Sequence, residues 1–228
     1  MNKRLEIKFI LLLIIAFANL TSYAQNQIGL LPQINAEFKI GDDWEIDSKL
    51  EGRQLFFQNP FPKEEREAKF ERTDLEIVAT RSLSSVDAVG AGYLIRRQDG
   101  KFLHRFIQQY AIEQKLTASE LSHRFRTDQT IEENEAAKFR FRYRIGFEKP
   151  LNGQELDQKE FYLKLSNEYL ASLKDAKGNL EIRGLASLGY NLSDNNQIEA
   201  GIDYRAENLI DSKIVHKAFL NIGWYLSF

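Results

Sequence analysis

Cysteine is absent from all 228 residues. Without it the chain builds no disulfide framework, no thiolate metal centre and no cysteine nucleophile. Long apolar runs are scarce as well. Beyond residue 24 nothing approaches the roughly 20 uncharged residues of a membrane-spanning helix, and the mean hydropathy is −0.43. That excludes spanning by helices. Only three histidines occur, His104, His123 and His216, and their spacing matches no metal motif. No metal and no cofactor is expected. No G-x-S-x-G elbow is present and no serine, histidine and acid converge by spacing. The reading is therefore of a protein that is not an enzyme. An outer-membrane lipid hydrolase is the alternative, because Ser212 lies four residues before His216. Charge of one sign is lacking too: 31 Lys and Arg stand against 33 Asp and Glu, a net −2, or about −4 once the first 24 residues are set aside. No global field attracts nucleic acid or anionic lipid.

What is present begins with a leader. Lys3, Arg4 and Lys8 give a basic n-region, 9–17 an apolar stretch, and Ser22, Tyr23 and Ala24 a small-residue site, so residues 1–24 read as a signal peptide cleaved after Ala24. The remainder, 25–228, reads as one domain, since no linker, tandem repeat or low-complexity tract divides it.

The clearest strand is 138–147. Phe139, Phe141, Tyr143, Ile145 and Phe147 fall on one face and Lys138, Arg140, Arg142 and Arg144 on the other, a period of two that no helix fits. The same alternation recurs at 34–40, 44–51, 72–79, 88–97, 102–115, 121–131, 161–169, 182–190, 198–204 and from 214 onward, with turn residues between. Bulky apolar residues opposite charged ones suit lipid on one side and a polar lumen on the other. The fold class is all-β: an antiparallel transmembrane, outer-membrane β-barrel. The segments number eleven, whereas single-chain bacterial barrels have even numbers. Either a short extra strand at 25–31 precedes the first segment or the N-terminus threads the lumen; about twelve strands is the expected count, with ten as the alternative.

The last strand places Leu220, Ile222, Trp224, Leu226 and Phe228 on one face. In water such an edge invites aggregation. On a barrel it faces lipid and serves as the insertion signal through which the barrel-assembly machinery would act. With that end in the periplasm, the short turns at 41–43, 84–87, 116–120 and 193–196 share its side and the 59, 177 and 211 regions lie outside. Aromatics mark the two rims: Trp44, Phe147, Tyr190, Trp224 and Phe228 at one, Phe70, Phe102, Phe139, Tyr169 and Tyr204 at the other.

The opposite face of the strands is rich in both charges. Arg124 and Arg126 stand on the strand beside Arg140, Arg142 and Arg144, which makes one basic wall, while Asp74, Glu76, Glu199 and Asp203 supply acidic walls elsewhere. An open lumen of this kind selects small polar or anionic solutes through a transverse field. A closed one is a plug of salt bridges. Both readings stand at this point.

Four segments, His104-Arg105-Phe106-Ile107-Gln108-Gln109, Arg124-Phe125-Arg126, Phe139-Arg140-Phe141-Arg142-Tyr143-Arg144 and the 161–168 strand, together resemble the outer-membrane family catalogued as domain of unknown function 2490. The resemblance covers most of the chain beyond the leader. It implies a β-barrel in the outer membrane of a Gram-negative bacterium and carries over no catalytic residue.

Overall fold

A computed structural model describes residues 25–59, 68–211 and 214–228. The leader at 1–24 lies outside them. Eleven strands follow one another: β1 (Gln25–Ile40), β2 (Trp44–Asn59), β3 (Lys69–Ser82), β4 (Asp87–Gln98), β5 (Lys101–Leu116), β6 (Ser119–Glu132), β7 (Lys138–Pro150), β8 (Glu160–Lys174), β9 (Lys177–Ser193), β10 (Asn196–Glu207) and β11 (Val215–Ser227). Each pairs with its sequence neighbour, and β1 pairs with β11 to close a barrel. The connections after β1, β3, β5, β7 and β9 gather at the rim where β11 ends, called here the C-terminal rim, and the others at the opposite rim. The split of the turns expected from sequence therefore holds.

The count corrects the expected twelve, and the ten as well. Residues 25–31 are the first half of β1 rather than a strand of their own. Two local features hide this continuity in the sequence. Pro32 lacks an N–H and normally ends a strand, but here its pairing with β11 continues through Ile222 while bridging to β2 lapses at Leu31 and Pro32. Opposite it, Gly52 leaves room for the proline ring, whose Cγ would lie 3.4 Å from a Cβ at that position. In addition Leu31 points inward, so the alternation blurs over Leu30-Leu31-Pro32.

An odd number of up-and-down strands forces the closing pair to run the same way. Accordingly β1 and β11 are parallel over thirteen register partners, and every other pair is antiparallel. The register followed from Asn26 across to His216 and on round the wall returns to β1 at Ile40, fourteen residues further along. For eleven strands that stagger corresponds to a tilt of roughly 45°.

The alternation decides which side chains enter the lumen. Ile34, Phe38, Leu50, Leu75, Ile77, Phe141 and Ile202 point outward and are exposed. Arg53, Asp74, Arg126, Asp128, Glu168 and Glu199 point inward and are buried. The aromatics follow the rims in part. Phe70, Phe102 and Phe139 are each the second residue of their strand, whereas Tyr169 and Tyr204 sit further from the strand ends than the sequence suggested. Inside, Leu31, Leu55 and Phe219 form a small apolar cluster on β1, β2 and β11.

Lower in the lumen, the Tyr162 ring lies flat against the backbone of Gly189, and a Cβ there would meet its Cζ at 2.1 Å. Glycine at 189 is thus required for the close approach, which in turn seats the Tyr162 hydroxyl 2.9 Å from Glu199 and 3.1 Å from Gln197. Gly189→Ala is expected to cost about 1–3 kcal/mol by overpacking, read as a lowered denaturation midpoint. Shortening the ring in a Gly189→Ala, Tyr162→Leu double variant should recover part of that loss.

Candidate functional site

The lumen encloses a cavity of about 480 Å³. Fifteen lysine and arginine side chains line it against nine carboxylates. A cationic excess persists even with Asp128, which lies buried beneath the lining and touches three of the arginines. All five residues of the basic wall expected from sequence face inward. Strands β6 and β7 set Arg124 opposite Arg144, Arg126 opposite Arg142 and Asp128 opposite Arg140.

Two carboxylates organise that wall. Asp128 accepts from Arg140 Nε at 2.5 Å and lies 3.6 Å from Arg105 Nε and 4.0 Å from Arg142 Nη1. Glu168 accepts both of its bonds from Arg142 Nη2, at 2.8 and 2.9 Å, with Arg183 at 3.4 Å and Arg124 at 3.6 Å. One carboxylate serving three guanidiniums leaves net positive charge behind. Arg144 has no carboxylate within ion-pair distance among the described residues, although Glu168 is its register partner.

The four acidic residues named from sequence also face inward, but they form no separate wall. Each is bound to a lumen cation: Asp74 accepts from Arg96 Nε at 2.7 Å, Glu76 from Arg126 Nη1 at 2.9 Å, Glu199 from Lys164 Nζ at 3.0 Å and Asp203 from Arg205 Nε at 2.6 Å. The Arg126 and Glu76 pair links β6 to β3, and Lys164 and Glu199 link β8 to β10, so these contacts cross between strands that are not neighbours.

The balance of charge instead shifts along the axis. Arg53, Arg72, Arg96, Arg105, Arg140 and Arg205 each lie in the half of their strand nearer the rim opposite the C-terminal one. Glu37, Glu45, Asp47, Glu113, Glu120 and Glu148 share the inward parity and lie in the halves nearer the C-terminal rim. Oxygens of Glu37, Glu45 and Asp47 come within 4.8 Å of one another. The lumen thus runs from a guanidinium collar, past the β6 and β7 wall, to an acidic mouth.

Glu71 escapes the sequence pattern. A bulge on β3 shifts the register between Arg53 and Gln54, so that Glu71 and Arg72 both enter the lumen. Arg96 and Arg105 follow the plain alternation of β4 and β5 and could have been found by it.

A family model described as a protein of unknown function (DUF2490) matches residues 29–214. The chain belongs to the DUF2490 family. No curated protein and no solved structure matches it. The DUF2490 match takes in β2 to β10 and most of β1, and so all of the basic wall, the collar and the acidic mouth.

On the outer surface of this DUF2490 barrel the three histidines share one arrangement. Each is held by a tyrosine hydroxyl diagonally across a strand pair: His104 Nδ1 by Tyr93, His123 Nδ1 by Tyr143 at 2.9 Å and His216 Nδ1 by Tyr204 at 2.6 Å. No serine or carboxylate joins them among the described residues, and Ser212 lies outside that set. Leu220, Ile222, Trp224 and Phe228 are exposed on the outward face of β11 and its end, and Leu226 shares their parity. Phe228 stacks on Phe38 with ring centroids 5.0 Å apart, and its N–H donates to the Glu37 carbonyl at 2.9 Å. The parallel seam therefore extends to the last residue.

Proposed function

We propose that this barrel is exported, with the leader cleaved after Ala24, inserts in the outer membrane of a Gram-negative bacterium and acts there as a narrow pore that favours small anions. The observation that carries the reading is the excess of cations lining the lumen cavity, fifteen against nine carboxylates, with Arg144 unpaired among the described residues. Fixed positive charge in a narrow low-dielectric passage raises the local concentration of anions and excludes cations. The outward face supports the location: exposed apolar and aromatic side chains on every strand are costly in water and at home in hydrocarbon. No bound metal, cofactor or nucleic acid enters the reading.

A second reading has an observation of its own. The ion pairs that link β6 to β3 and β8 to β10 brace the lumen, as a non-conducting structural barrel would require. For a lipid hydrolase the described residues offer none, each histidine there meeting a tyrosine hydroxyl through its Nδ1.

Location is tested by fractionating cells on a density gradient and labelling epitopes inserted in two turns. Outer-membrane recovery is expected, with label reaching an epitope at 175–176 in intact cells and not one at 194–195. A soluble protein contradicts the proposal. Because β1 begins at the rim opposite Phe228, residue 25 is expected at the cell surface, and surface labelling of an epitope placed just before it checks the odd strand number in cells.

A further inference from the structure

Arg53 is the least reconciled side chain in the lumen. It is 2 % exposed, yet among the described residues its Nε and Nη2 have no hydrogen-bond partner, and the nearest carboxylate oxygen, on Glu71, stands 3.7 Å from Nη1. A buried guanidinium left without acceptors costs several kcal/mol, so such a group calls for a partner of its own. The neighbouring Arg72 repeats the pattern: among the described residues its Nε has no acceptor, and it lies 3.7 Å from Asp74, a carboxylate that Arg96 already engages through two bonds. Arg53 and Arg72 are register partners across β2 and β3, and both line the lumen cavity.

The surroundings hold these groups in place. The Arg53 guanidinium lies 4.7 Å from the centre of the Phe219 ring, and that of Arg205 lies 5.3 Å from the same ring. Phe219 belongs to the buried cluster with Leu31 and Leu55. The apolar floor keeps water from one face of the guanidinium and fixes its plane, which strengthens electrostatic attraction to whatever meets its edge. Arg96 and Arg205 add like charge around Arg72. A water molecule would accept hydrogen bonds there but would not offset that charge.

We propose that Arg53 and Arg72, backed by Arg205 on Phe219, form a binding site for a small inorganic oxyanion of the phosphate or sulfate class. Two forked donors at adjacent register positions match an ion with several oxygens better than a halide, and a cavity of about 480 Å³ shared by the whole lumen leaves room for a small ion. Phe219, Leu31 and Leu55 supply the wall, and Glu71 stays as the counter-charge beside Arg53. The inference deepens the anion-favouring reading and rests on it in that the ion must reach the lumen, with the guanidinium collar set toward the rim opposite the acidic mouth.

The test is isothermal titration of inorganic phosphate into the refolded barrel in phosphate-free detergent buffer, run beside chloride conductance of the same preparation. Saturable binding near one ion per barrel is expected, weakened at least tenfold in Arg53→Gln and in Arg72→Gln. Arg97→Gln, which removes a cation from the outward face of β4, should leave it unchanged. Heat-shifted gel mobility establishes folding of each variant, and if Arg53→Gln does not fold, Arg72→Gln decides. Unsaturable heats in the wild type, or wild-type affinity in both folded variants, overturns the site. Saturable binding by a barrel that passes no chloride keeps the site and removes the pore. Chloride conductance without saturable phosphate binding does the reverse.

Discussion

Replacing Arg140 and Arg142 together by glutamate is expected to turn an anion-favouring reversal potential into a cation-favouring one. The double change takes the charges lining the cavity from fifteen cations against nine carboxylates to thirteen against eleven. Its effect is larger than the count implies. Arg140 and Arg142 make the closest contacts to Asp128 and Glu168, and without them those two carboxylates are left less neutralised, by Arg105 and by Arg124 and Arg183 alone. The change has a structural cost as well. Breaking a buried pair by removing one partner costs about 3–5 kcal/mol, and a glutamate facing Asp128 adds repulsion. The milder Arg140→Gln, Arg142→Gln pair should therefore be measured beside it, with a smaller shift in the same direction. Were the folded variants to show the wild-type reversal potential, solutes would not pass the β6 and β7 wall. Loss of stability with no permeability in either protein is the signature of the braced, non-conducting barrel.

Deleting residues 25–31 is expected to abolish the folded barrel. Those residues supply seven of the thirteen register partners through which β1 closes against β11, and they pair with the end of β2 on their other side. Their removal would leave the outer half of β11 and part of β2 with backbone groups unpaired, each costing several kcal/mol where no water can replace the bond. The expected result is no heat-shifted species on a gel after refolding. If 25–31 were a dispensable extra strand or a lumen thread, the deletion would fold and migrate as the wild type does.

Strand identity was largely legible because the period of two survives wherever one face is lumen and the other is not. Segment 138–147 falls within β7 (Lys138–Pro150), and its parity assigns Arg140, Arg142 and Arg144 inward and Phe139 and Phe141 outward, as found. The closure was not legible. Pro32 reads locally as a stop, but its missing N–H falls where pairing to β2 lapses in any case, so the strand continues. Likewise the bulge at Glu71 is a backbone event that shifts parity without a marker residue, and it hid a lumen carboxylate. The charge pattern was legible by face and not by height. Strand tilt and a stagger of fourteen residues move neighbours along the axis, so groups scattered in sequence assemble into a collar and an acidic mouth. Lumen acids read as separate walls prove to be partners of lumen arginines and, for Glu199, of Lys164, since pairing across non-adjacent strands, as in Arg126 with Glu76, depends on curvature that no alternation encodes.

The central claim, a lumen that passes small anions, is tested most directly by the reversal potential of the refolded protein, residues 25–228, in a planar bilayer under a salt gradient. Steady conductance with a reversal potential on the anion side is the predicted result. A correctly folded barrel that stays silent, or one that favours cations, would contradict it.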